Sequence, residues 1–204
     1  MLQPFYASSE INRHGNQRNN QEFLEKIMLN PSTKFIPVKN GKNLFEGLEN
    51  EINAVKFNYE LLSSLLPDGI NEPIFLGAAN NFYYVGFELE NQNPKVEKWI
   101  DENNIIIDDL RRYGPTLNSI DGSFLALTNG MTFWHKTHKF CGTCGQINTS
   151  KEGGFVRVCS NTKLIDGGVA TSNVGAAADS AASEAVAERN ALGIWNSGLI
   201  AIGC

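Results

Sequence analysis

Apolar residues recur along this chain at two spacings, and the switches between them mark out its elements. Phe23, Leu24, Ile27 and Met28 fall on one helical face of NQEFLEKIMLN, with Asn20 placed to cap it and Pro31 just past its end. The pattern predicts a helix there, after a polar, Asn-rich lead-in over residues 1–19. TKFIPV and KNLF read as short strands around Asn40-Gly41, a dipeptide that accepts positive φ and so makes a hairpin turn. Pro37 has no N–H to give a ladder, which would put the first strand at an edge or a bulge. Residues 55–66, VKFNYELLSSLL, mix the two periods; the latter part looks helical and Pro67-Asp68-Gly69 ends it. PIFLGA and NFYYVGFEL, joined by Ala79-Asn80-Asn81, predict an antiparallel pair. The second of these is apolar on both faces, which makes it a central strand. ENQNPK reads as a polar loop, and IIIDDLRRYG joins a β-branched run to a charged segment closed by Gly114-Pro115. Together these pieces predict a small α+β domain over residues 1–116.

A second module is expected over residues 117–163. Ile120, Phe124, Leu127, Met131 and Trp134 recur at spacings of three and four, the stripe of a helix capped by Asn118 or Ser119. That helix runs into WHKTHKFCGTCGQINTSKEGGFVRVC, where Cys141 and Cys144 form a C-x-x-C followed by glycine. One tight turn at that spacing can aim two thiolates at a single metal ion. Cys159 follows at the end of FVRVC, which alternates like a strand. Cys141, Cys144 and Cys159 are therefore the candidate metal ligands, three-quarters of a zinc ribbon. The second cysteine expected a few residues after Cys159 is missing. His138, His135, Asp166, the remote Cys204 or water could stand in for it. No H-E-x-x-H or other general base accompanies the cysteines, so the site is structural rather than catalytic.

Beyond Lys163 the pattern dissolves. Residues 164–204 contain no Phe, Pro, Tyr or His, and about ten of them are Ala. GAAADSAASEAVAERNALG has helical propensity, but its apolar face is mostly methyl groups that contribute little against the entropy of ordering. A poorly ordered tail or a marginal helix is expected over 164–204.

Composition narrows the classes of function. The 204 residues carry a net charge of −5, which argues against a polyanion binder as a whole. Lys136, Lys139, Lys151, Arg157 and Lys163 make the ribbon locally basic, read as a solvated surface. No apolar run reaches the roughly 18 residues of a membrane helix, and the first residues lack the plan of a signal peptide. A reducing compartment is expected, where four cysteines with one C-x-x-C favour metal over disulfides. Phosphate-loop, dinucleotide and nucleophile-elbow motifs are absent from the sequence. The acidic pairs Asp108-Asp109 and Glu88 with Glu90 read as solvated, His14 gives no functional signal, and Cys204 has no visible partner.

Three stretches together resemble the NADH pyrophosphatases of the Nudix superfamily: INRHGNQRNNQEFLEKIMLNPSTKFIPV, DLRRYGPTLNSIDGSFLALTNGMTFWHKTHKFCGTCG and KEGGFVRVCSN. The resemblance covers about residues 10–161 and looks like that family's N-terminal domain plus its zinc ribbon. It implies hydrolysis of the pyrophosphate of NADH or NAD to nicotinamide mononucleotide and AMP, and in some members removal of NAD caps from RNA. It also implies a structural Zn2+, a possible homodimer and a cytoplasmic or peroxisomal location. The chemistry would belong to a further domain, whose signature G-x5-E-x7-R-E-x-x-E-E-x-G holds Mg2+ or Mn2+ on several glutamates. EAVAERNALG lacks those acidic pairs. The expectation is a truncated or frameshifted member, inactive alone, with the text after about Asn161 replaced. The competing expectation is a ribbon used as a binding or dimerisation module for RNA or protein. RNA is the less expected partner on charge.

Overall fold

A computed structural model of the chain describes residues 6, 8–48, 51–91, 93–161 and 202–203. The expectation of a marginal or poorly ordered tail falls almost wholly outside those residues. The chain divides into two compact units, Met1–Trp134 and His135–Cys204.

The first unit is built on a mixed sheet. Its strands are β1 (Thr33–Lys39), β2 (Lys42–Leu48), β3 (Glu51–Ala54), β4 (Ile74–Ala79), β5 (Phe82–Glu88) and β6 (Ile106–Asp108). Their order is β3-β2-β1-β5-β4, with β6 also paired to β2. Two hairpins supply the middle. Asn40 and Gly41 at φ 53° and 74° join β1 to β2, and Asn80 and Asn81 at φ 50° and 64° join β4 to β5. Asparagine tolerates this left-handed region, and paired positive φ values give the turn twist that matches the strands. The hairpins dock through β1 and β5, which run parallel from Thr33↔Tyr83 to Val38↔Glu88. β5 is thus flanked on both sides, as its two apolar faces require.

Among the described residues five helices accompany the strands: α1 (Gln21–Met28), α2 (Tyr59–Leu65), α3 (Pro94–Glu102), α4 (Leu110–Tyr113) and α5 (Ser119–Thr137). Asparagine side chains cap α1, α2 and α3, with Asn20 accepting from Phe23 N–H, Asn58 from Leu61 N–H and Asn93 from Lys95 and Val96 N–H. Each satisfies backbone donors that a helix start leaves orphaned. Ile27 of α1, Leu62 and Leu65 of α2, and Val96 and Ile100 of α3 share one core with Phe35, Phe75, Val85 and Phe87 of the sheet. The alternate residues of β5 meet α5 instead. Tyr84 stacks on Phe124 with ring centroids 4.1 Å apart, and Gly86 faces Thr128. Helices therefore cover both faces of the sheet.

Three expectations need correction. Pro37 lies in an interior strand, not at an edge. The ladder from β1 to β2 stops at Val38↔Asn43, and Leu44 accepts instead from Val55 N–H. β2 has swung away where Pro37 would have had to donate, so the missing N–H costs nothing. ENQNPK is only partly a loop, because Asn93-Pro94 is the cap and first turn of α3. Asp108 and Asp109 are structural rather than merely solvated: Asp109 caps α4 by accepting from Arg111 N–H, and Asp108 binds Arg112 at 2.8 Å. His14 sits at φ 47° with its ring tilted against Phe23, Phe75 and Tyr83.

α5 carries the expected stripe. Asn118 is its cap, its side chain accepting from Asp121 N–H at 2.9 Å, and Asp121 in turn binds Lys56. Ile120, Phe124, Leu127, Met131 and Trp134 are all buried. Among the described residues no helix is long and apolar enough to cross a membrane.

Candidate metal centre

The second unit is a small ribbon. β7 (Asn148–Lys151) and β8 (Val156–Cys159) pair antiparallel from Asn148↔Cys159 to Lys151↔Val156, and β9 (Ile202–Gly203) lies parallel to β8. The Gly153-Gly154 pair turns the chain between β7 and β8 at φ 60° and 96°, a conformation that favours glycine. Phe140 bridges Ile147, so residues 141–146 form a closed loop at the mouth of the hairpin.

That loop is the turn expected from C-x-x-C-G. Gly145 N–H donates to the Cys141 carbonyl at 2.9 Å, and Cys141 N–H donates to the Gln146 carbonyl at 2.7 Å. Gly145 takes φ 71°, which explains the glycine after the second cysteine. Thr143 N–H points at the Cys141 sulfur, 3.4 Å away. Asn161 N–H stands in the same relation to the Cys159 sulfur, also at 3.4 Å. Both cysteine turns thus aim a backbone donor at sulfur two residues earlier, a geometry that favours thiolate. These two donors escaped the sequence reading, because backbone groups leave no residue-type signal. Only the short polar residues after Cys141 and Cys159 hint at such turns.

The three candidate ligands converge. The Sγ atoms of Cys141, Cys144 and Cys159 all lie within 4.8 Å of one another, and Cys144 and Cys159 are 3.3 Å apart. Zinc with Zn–S bonds of about 2.3 Å holds tetrahedral sulfurs roughly 3.8 Å apart, so the cluster has the size for one ion. Its donors are soft sulfurs, which suits zinc rather than a hard cation. Cys141 and Cys159 are buried and Cys144 is half-buried. The Gln146 backbone, and then the Cys159 sulfur, hold the Cys144 thiol below its ordinary value. For Cys159 the Asn161 N–H pulls the other way, but burial and the neighbouring Cys144 leave it raised. The pair therefore shares its first proton unequally, with Cys144 the readier thiolate. Cys144 and Cys159 are free thiols.

The other residues singled out in the ribbon have separate work. His135 is buried and its Nε2 donates to the Gly154 carbonyl at 2.6 Å, pinning the glycine turn. The His138 ring bonds the Thr137 hydroxyl at 2.9 Å, and its carbonyl accepts from Asn148 and Arg157. Neither histidine joins the sulfur cluster. Arg157 is 2% exposed, so it belongs to the ribbon's interior and not to a basic surface. Lys136, Lys139 and Lys151 are exposed. Asp166, Lys163 and Cys204 lie outside the described residues.

The geometry and donor set of the described residues are those of a zinc ribbon. Residues 136–165 match the NADH pyrophosphatase zinc ribbon domain. The chain is also similar to the NAD-capped RNA hydrolase of Schizosaccharomyces pombe, at 25% identity over 79% of this chain and 50% of that protein. Similarity to the NAD-capped RNA hydrolase NUDT12 of Pongo abelii is 23% over 76% of this chain and 40% of that protein. These matches relate the chain to the NADH pyrophosphatases of the Nudix superfamily. It spans 40–50% of the length of these relatives.

Proposed function

We propose that this chain forms the N-terminal α+β domain and the structural zinc ribbon of a hydrolase that cleaves the pyrophosphate of NAD-type dinucleotides, free or as the cap of an RNA. The observation that carries the reading is the convergence of three cysteine sulfurs within the segment that matches the ribbon model. Zinc there would tie the loop at 141–146 to the end of β8, holding in place a ribbon in which, among the described residues, buried apolar side chains are few. Chemistry at a pyrophosphate needs hard cations, Mg2+ or Mn2+, gathered by several carboxylates to neutralise the leaving group and activate water. No stretch of the sequence has the glutamate spacing of the Nudix signature, and on this reading the chain alone does not turn over. The net charge of −5 had made RNA the less expected partner, but the names of two relatives bring NAD-capped RNA in as a substrate class. Self-association and a cytoplasmic or peroxisomal setting belong to the same proposal.

The test uses the chain purified under reductant. Metal analysis should find one zinc per chain, and incubation with NADH or NAD-capped RNA and Mg2+ should release neither nicotinamide mononucleotide nor AMP. A chain with no affinity for zinc would sink the ribbon reading. Measurable turnover would sink the statement that the chain alone is inactive.

A further inference from the structure

We propose that Cys144 and Cys159 are a peroxide-sensitive pair, whose oxidation to a disulfide releases the zinc and takes over its cross-link. The proposal rests on the zinc-ribbon reading above for the ion it displaces, while the sulfur–sulfur bond itself needs only the two cysteines.

Distance singles out the pair. The two sulfurs are 3.3 Å apart and both thiols are free. Sulfurs that share one tetrahedral zinc stand about 3.8 Å apart, whereas a disulfide holds them at about 2.04 Å. Forming the bond therefore asks for roughly 1.3 Å of further approach. The two partners are not equally held. Cys159 ends β8, paired in register with Asn148, and the next residue, Ser160, donates its N–H to the Ile147 carbonyl. Cys144 lies in the loop at 141–146, where Gly142, Thr143, Gly145 and Gln146 are all exposed. A carbon added at Gly142 or Gly145 would meet no atom within 4 Å, so open space borders the loop. The loop can close on the strand without displacing a neighbour there.

Exposure sets the order of events. Cys144 is half-buried and Cys159 buried, so a small hydroperoxide reaches Cys144 first. Its sulfur attacks one peroxide oxygen, the O–O bond breaks, and a sulfenic acid and water result. The Cys159 sulfur then attacks the Cys144 sulfur, the S–O bond breaks, and the hydroxyl leaves as water with the thiol proton. Two thiols and one hydrogen peroxide thus give one disulfide and two waters, the sulfurs supplying the two electrons that reduce the peroxide. In the zinc-loaded ribbon, where the sulfurs are thiolates, the buffer supplies the two protons. A thiol already in contact with the sulfenic acid condenses with it before a second oxidation to the sulfinic acid.

The consequence for the metal follows from what zinc accepts as a ligand. Zinc takes thiolates, so oxidation removes two of the three sulfurs that converge and the ion departs. The new bond joins the loop at 141–146 to the end of β8, the same two pieces that zinc would tie. The mouth of the hairpin stays closed in either state, by metal when reduced and by sulfur when oxidised.

The experiment loads the full chain with zinc, removes the reductant and adds hydrogen peroxide. A chromogenic chelator should register one zinc ion released per disulfide formed. Peptide mapping with fragmentation should join Cys144 to Cys159, and dithiothreitol with added zinc should restore the starting state. Amide signals of residues 136–161 should stay dispersed in the oxidised, zinc-free chain. In Cys144→Ser the Cys159 sulfur should remain unlinked and peroxide-driven release should slow; because that variant can also bind zinc less well, the mapping of the wild-type chain decides. Zinc lost while Cys144 climbs to sulfinic acid and Cys159 stays a thiol overturns the proposal and leaves the ribbon standing. A bond from Cys141 to either cysteine in place of the expected pair overturns it as well. A chain that never held zinc but forms the Cys144–Cys159 bond removes the ribbon reading and leaves the oxidisable pair.

Discussion

Gly86 is the position where one added carbon should matter most to the N-terminal unit. It sits in β5, buried, opposite Thr128 of α5. A Cβ built there would meet Thr128 Cγ2 at 2.7 Å and Oγ1 at 2.8 Å, with Thr128 Cβ at 3.2 Å. Contacts below 3.0 Å cannot persist, so Gly86→Ala must move either the threonine or the helix. Thr128 cannot simply rotate away, because it is fully buried and its hydroxyl donates to the Phe124 carbonyl at 2.7 Å. Overpacking of a close-packed core costs about 1–3 kcal/mol. For a unit of this size that lowers Tm by roughly 3–5 °C per kcal/mol. Thr128→Ala removes the two nearest atoms and leaves only the 3.2 Å neighbour, which needs to yield by a few tenths of an ångström. Gly86→Ala should therefore cost less in the Thr128→Ala background than alone, a coupling of about 1–2 kcal/mol, within the range seen for residues in contact. Urea denaturation of the two single variants, the double variant and wild type measures it. Additive losses would refute the reasoning, because the penalty of the alanine would then not come from the threonine.

Three further outcomes follow from the geometry. Removing zinc with a chelator should collapse the amide dispersion of residues 136–161 while the signals of the first unit persist, since among the described residues of the ribbon the buried apolar side chains are those of Cys141 and Cys159; a ribbon spectrum unchanged by chelation would contradict this. Asn118→Ala should destabilise the first unit by about 1 kcal/mol, because Asp121 N–H loses its acceptor; an unchanged urea midpoint would remove the cap from the account. Asp108 is held below the ordinary carboxyl range by Asp109 N–H first and the Arg112 guanidinium second. A depressed folded pKa gives stability that is present above the ordinary Asp value of about 3.9 and lost as pH falls through the lowered value. The stability curves of wild type and Asp108→Asn should accordingly separate above about pH 4 and converge in acid; parallel curves throughout would show that the carboxylate contributes nothing.

What could be read from the sequence was what local chemistry fixes. Asn40-Gly41 and Asn80-Asn81 announce their hairpins because few residues accept φ values of 50–74°. α1 and α5 are visible in the spacing of Phe23 to Met28 and of Ile120 to Trp134, since one apolar face per helix is what docking requires. Cys141, Cys144 and Cys159 meet because a tight turn and a hairpin suffice to bring them together. Non-local choices were not legible. Nothing in TKFIPV says that its partner is NFYYVGF in parallel, and without that pairing Pro37 looks like an edge residue. β3 and β6 are short and take their identity from β2, which both of them pair with. α3 is a different case: Asn93-Pro94 carries a cap and a helix-starting proline, so its signal was present and was read as loop.

The parallel contact between β1 and β5 has a consequence in time. Each hairpin closes over a two-residue turn and can form in microseconds. Joining them brings Thr33 against Tyr83, fifty residues further along the chain, and the loop entropy must be spent before any contact rewards it. Rates fall as contacts become less local, so this docking step sets the pace of the unit. Until it occurs, the apolar flanks of β5 stand open on the side that β1 will cover. A ribosome that has released β1 and β2 has still to deliver β5, and through that interval the first hairpin waits with one edge unpaired. Lys34 and Lys39 lie along that strand, charges that discourage a wrong partner from adding to it.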